Sequence, residues 1–98
     1  MDIQELRSQI DGIDDQLVKL FCQRMEVAAQ IAAYKRQQNL PILVPAREQE
    51  KLLDVEKKAG PDMASYTRLL YLTLFELSRS YQDELTQESA KADSSEVL

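Results

Sequence analysis

Nine apolar residues at heptad spacing, Ile3, Leu6, Ile10, Ile13, Leu17, Leu20, Val27, Ile31 and Tyr34, run through the first 38 positions. Alternating steps of three and four keep one stripe of an α-helix on one side. Gly12 is the only interior weakness and costs about 1 kcal/mol. Asp2 followed by Glu5 is a capping-box variant, so the stretch from there to Asn39 reads as one long helix. The one seam position left over, between Leu20 and Val27, is Arg24. A guanidinium in a helix seam is costly unless something pairs with it. Either a carboxylate of the protein lies opposite, or the seam opens there into a pocket for an anionic ligand.

The length of this helix forces an assembly. About 36 residues at about 1.5 Å rise make a rod of about 54 Å, whereas a compact 98-residue domain has a radius of gyration near 13 Å. Leu40 to Val44, with Pro41, reads as a short loop. Pro45 suits the first turn of a second helix that runs to about Lys58 before Gly60 and Pro61. Asp62 or Ser65 caps a third, whose apolar positions Tyr66, Leu69, Leu70, Leu74, Phe75, Leu77 and Tyr81 keep the helical period to about Leu85. Two short helices do not cover the seam of the rod, so a second copy is expected to cover the rest by intertwined or antiparallel twofold pairing. The fold expected is all-α, three helices per chain in an intertwined homodimer. Residues 1–85 form the domain, and 86–98, mostly Ser, Ala, Asp, Glu, Lys and Gln, read as a flexible tail or linker.

Composition narrows the chemistry. There is no histidine and a single cysteine, Cys22, so the usual zinc and copper constellations and a histidine general base are not expected. Cys22 falls off the seam and reads as packing. A net charge of −5 disfavours nucleic acid as partner. No membrane span or secretory leader is read in the chain, which makes cytoplasm the expected location.

The cations that remain are positioned by helical geometry. Lys35 lies eleven residues beyond Arg24, about three turns and 16 Å along nearly the same face, so the two side chains can reach one ligand. Arg7 lies about 25 Å before Arg24, too far within one chain but within reach from an antiparallel partner. Arg47 and Glu48 open helix 2 beside the loop, and Ser78 and Gln82 are an i,i+4 pair on helix 3. Taken singly, each also fits a solvated surface or an internal ion pair; the seam position of Arg24 makes that reading hardest there. Tyr34 and Tyr81 read as core rather than as stacking platforms.

LRSQIDGIDDQLVKLFCQRM at the start, AAYK at 32–35, PAREQEKLL at 45–53 and ELSRSYQ at 76–82 together resemble the all-helical class of chorismate mutases, in particular the mutase domain that begins bifunctional mutase and prephenate dehydratase proteins. The resemblance covers residues 1 to about 85. It implies an intertwined dimer with two active sites, each completed by an arginine from the partner's first helix. It further implies that Arg24, Arg47 and, from the other chain, Arg7 bind the substrate carboxylates, that Lys35 and Gln82 donate to the ether oxygen whose bond breaks, that Glu48 accepts from the ring hydroxyl and that Ser78 lines the pocket near a carboxylate. Where the family usually places an aspartate, this chain has Val44, which removes a helix cap worth about 1 kcal/mol and leaves the backbone N–H at that position to serve the site.

The implied reaction, a Claisen rearrangement of chorismate to prephenate on the way to phenylalanine and tyrosine, needs no cofactor, metal or proton transfer. It needs one conformer held in place and charge on the ether oxygen stabilised. Arginine's planar fork suits a dicarboxylate. Two alternatives use the same fold: an isochorismate pyruvate lyase, and a non-catalytic domain that dimerises or senses prephenate for a larger enzyme. Fusion to a prephenate dehydratase is the arrangement the resemblance implies for a longer protein.

Overall fold

The structure is a computed structural model that describes residues 2–97, with side chains for residues 2–88. It is all-α: α1 spans Ile3–Gln37, α2 Pro45–Ala59 and α3 Ala64–Val97. The start of α1 is fixed as its sequence predicts, with Asp2 Oδ1 accepting from the Glu5 N–H at 2.8 Å. Its end is a Schellman turn. Asn39 takes the left-handed conformation at φ 56°, while the Leu40 N–H donates to the Lys35 carbonyl at 2.8 Å and the Asn39 N–H to that of Arg36 at 3.3 Å. This turn reverses the chain directly beside Lys35.

Pro45 occupies the first turn of α2 and Val44 its N-cap, extended and without a side-chain cap bond. Gly60, at φ 85° and ψ 167°, adopts a conformation open essentially to glycine alone and ends α2. The compositional change after Leu85 does not end α3. Thr86 to Val97 contains neither glycine nor proline, and its Glu, Ala, Lys and Gln favour a helix by propensity.

Packing centres on α3, which lies against both other helices, while α1 and α2 do not pack on each other. The ion pairs Arg68–Glu56 and Arg79–Glu48 run in opposite sequence directions, so α2 and α3 are antiparallel. On α1 the stripe facing α3 is Phe21, Arg24, Met25, Ala28 and Ala32; the alanines are buried and permit close approach. The heptad seam forms the neighbouring stripe, and Arg24 belongs to both. Every other seam residue is exposed, from Ile3 to Tyr34. Cys22, expected to pack, is exposed as well, because it lies about 100° around α1 from the stripe that faces α3. The extents of 65 × 31 × 15 Å and radius of gyration of 17.9 Å match a protruding rod rather than a compact globule. Among the described residues the buried apolar side chains are Ala28, Ala32, Leu52, Val55 and Phe75, a thin core for a chain of this length. No helix among the described residues is long and apolar enough to cross a membrane.

Candidate active site

All three helices and the α1–α2 loop line a half-open cavity of about 310 Å³, within the size range of small-molecule sites. Arg24 and Lys35 enter it from α1, Val44 from the loop, Arg47 and Glu48 from the first turn of α2, and Ser78 and Gln82 from α3. Seven of the eight positions singled out from the sequence therefore meet in one place, and the eighth, Arg7, does not line it. Arg7 is exposed on the uncovered end of α1.

The question posed by Arg24 has an answer in this geometry. Among the described residues no carboxylate lies within ion-pair distance of its guanidinium. Arg24 Nη1 donates to Ser78 Oγ at 2.8 Å, and its Cζ sits 5.9 Å from the ring centroids of both Tyr71 and Phe75. These rings, edge to face at 6.1 Å, form an electron-rich wall that holds the cation without neutralising it. Lys35 is likewise without an acid, its Nζ donating to the Ile42 carbonyl at 2.8 Å. The seam thus opens into a cavity with two uncompensated cations.

Helical period explains the α3 side. Ser78 and Gln82, four apart, point at α1 and are buried to 9% and 7% exposure, and Gln82 Nε2 donates to the Ala28 carbonyl at 2.9 Å. One amide proton is used there and a second remains. Arg24 and Lys35 similarly commit one donor each to the protein and keep the rest. The site is preordered by its own hydrogen bonds yet retains donors for a ligand.

Two charged lining residues escape the sequence reading. Lys51 sits one turn beyond Arg47 on α2 and leans on Asp54 at 3.5 Å; the hydrogen bond from Lys58, with Lys51 adding to it, holds the Asp54 carboxyl below the usual carboxylate range. The i+4 relation to Arg47 is a signal that finds it. Arg79 pairs with Glu48 and has no such signal. Arg47 itself lies at the mouth, turned outward to Glu50 at 3.2 Å. Together Arg24, Lys35, Arg47, Lys51 and Arg79 face one acid among the described residues, Glu48, in a chain whose net charge is −5. Such a field favours an anion of more than one charge.

The sequence is similar to several known proteins. It is 41% identical over 59 residues to the T-protein of Haemophilus influenzae, covering 56% of this chain and 16% of that protein. It is 40% identical over 60 residues to the bifunctional chorismate mutase/prephenate dehydratase of Aquifex aeolicus, covering 58% and 17%, and 38% identical over 58 residues to the T-protein of Enterobacter agglomerans, covering 59% and 16%. The matched part is thus about one sixth of the length of these relatives. No solved structure matches significantly. The profile of the family described as chorismate mutase type II matches residues 6–83. That span takes in every residue lining the cavity, from Arg24 to Gln82, and by it the chain belongs to the chorismate mutase type II family.

Proposed function

We propose that this chain is a chorismate mutase, converting chorismate to prephenate for phenylalanine and tyrosine synthesis, in the cytoplasm, as a homodimer whose two sites are each completed by Arg7 of the partner subunit. The observation that carries the reading is the pair of cations without acid partners, Arg24 and Lys35, converging on one cavity. A dicarboxylate supplies the missing charges. Arg24 and Arg47 take its carboxylates with Arg7 of the partner subunit, and Ser78, already bonded to Arg24, steadies that contact. Lys35 and the spare N–H of Gln82 donate to the ether oxygen, Glu48 accepts from the ring hydroxyl, and Val44 contributes its backbone N–H.

The rearrangement breaks the ether C–O bond and forms a C–C bond within one molecule. No proton changes hands, so the absence of histidine is no obstacle. The site's task is to hold the reacting ends together and to meet the negative charge growing on oxygen with donors already in place. Gln82 does this from a buried position and Lys35 from a partly covered one, where such contacts count for more than in water.

Area and position support the dimer. The chain exposes 7952 Å², whereas a compact monomer of its mass exposes roughly 5,700 Å². The excess of roughly 2,200 Å² per chain, roughly 4,400 Å² for two, is on the scale that an obligate interface buries. A second, apolar concavity lined by Leu17, Phe21, Leu74 and Leu77 lies beside the cavity, and Arg24 borders both. A partner helix seated there lies next to Arg24, which is where Arg7 of the partner subunit is needed. The test is to incubate the purified protein with chorismate and identify the product by NMR. Prephenate is the expected result; salicylate with pyruvate identifies a lyase, and unchanged substrate leaves a binding domain.

A further inference from the structure

Arg79 is a cavity residue that none of the roles above employs. It follows Ser78 on α3 and is therefore turned about 100° from it, away from α1 and toward α2, where its Nη1 donates to Glu48 Oε2. The other carboxylate oxygen, Oε1, has no hydrogen-bond partner among the described residues. Both side chains are partly covered, at 34% and 27% exposure, so the pair is neither freely solvated nor sealed. Among the described residues Glu48 is the only acid lining a cavity that otherwise attracts anions. Unneutralised, its charge repels a dianion placed within a few ångströms.

We propose that Arg79 is a positioning residue acting through Glu48: it ties down one carboxylate oxygen, leaves the other to accept from the ligand's hydroxyl, and cancels the charge that otherwise opposes a dianion. The inference rests on the reading of the site as a chorismate site. The molecule contains its own control. Arg68 and Glu56 make the corresponding α3-to-α2 bridge at 3.2 Å, eleven residues earlier on α3 and eight later on α2, outside the cavity lining. A bridge that merely fastens α2 to α3 has the same consequence at either end; one that orients Glu48 matters at one end only.

The test compares chorismate kinetics of Arg79→Met, Arg79→Lys and Arg68→Met, with Arg79→Met repeated in a Glu48→Gln background. Arg79→Met is expected to lower kcat/KM at least about tenfold, the scale of one charge-assisted contact in a partly covered pair. Arg79→Lys restores most of it, Arg68→Met stays within about twofold because that bridge, covered to a similar degree, lies outside the cavity lining, and in the Glu48→Gln background the Arg79→Met step costs less than about threefold, since a neutral amide needs no counter-ion. Equal effects of Arg79→Met and Arg68→Met overturn the proposal, as does an undiminished loss in the Glu48→Gln background. Ligand-free crystal structures give an independent decision: one Glu48 rotamer in the parent and several in Arg79→Met are expected, and an equally ordered Glu48 in the variant overturns the role. A parent that leaves chorismate unchanged refutes the chorismate reading, and the crystallographic comparison still decides for Arg79.

Discussion

Arg24→Leu is expected to lower kcat/KM for chorismate by a factor on the order of 10³ while leaving the folded protein as stable as the parent or more stable. Both halves follow from the partners of the guanidinium. It makes one hydrogen bond, to Ser78, and lies over two rings, which together contribute roughly 1–3 kcal/mol. Leucine forfeits these but adds roughly 1.5–3 kcal/mol by burial against Phe75 and Tyr71 and completes the seam. No carboxylate is stranded by the change, because none is paired with Arg24 among the described residues; a stranded partner is what makes removing a buried charge most damaging. Turnover has no such compensation. Chemical denaturation and steady-state kinetics on one preparation separate the two effects, and an active but destabilised variant means that Arg24 is structural.

Gln82→Glu is expected to be nearly inactive at neutral pH and to recover as the pH falls. The parent's amide donates at every pH, so its own profile is expected to be broad. A carboxyl group of the same size donates only when protonated, and as a carboxylate it repels the charge developing on the ether oxygen. It also meets the Ala28 carbonyl, which now accepts from Gln82, so that two acceptors face each other at a position 7% exposed. Burial and that carbonyl raise the carboxyl's pKa in the variant, and the Arg24 and Lys35 charges oppose the rise. Whichever is larger, the donor is present below that pKa and lost above it. The expected loss at neutral pH is on the order of 10² to 10³ in kcat, the scale of one donor to a developing oxyanion. Profiles of kcat against pH for both proteins check this, and a variant profile as flat as the parent's removes Gln82 from the reacting oxygen.

Much of this geometry was legible in the sequence because it depends on helical period alone. The i,i+4 relation of Ser78 and Gln82 and the three-turn step from Arg24 to Lys35 need no knowledge of neighbours, and the breaks at Asn39, Pro45 and Gly60 are local chemistry. What period cannot supply is which flank of a helix its neighbour takes. That decides whether Arg79 points to α2 or to solvent, and whether Cys22 is covered. It also decides how the α1 seam is used: Ala28 and Ala32, weak signals by size, form the contact with α3, while the larger apolar residues remain on the open side. The end of α3 was obscure for a different reason, since Thr86 to Val97 suits a helix and a linker equally by composition.

The claim that the site is built from two chains is tested most directly by mixing two inactive variants. Arg7→Ala and Arg24→Ala homodimers each lack one arginine in both sites and are expected to turn over chorismate at least about a hundredfold more slowly than the parent. After subunit exchange of equal amounts, half the dimers are mixed. In a mixed dimer one site holds Arg24 from one chain and Arg7 of the partner subunit, and the other holds neither. Recovery to about a quarter of the parent's activity is the result predicted. No recovery after demonstrated exchange places both arginines in one chain's site, or Arg7 outside it, and contradicts the account.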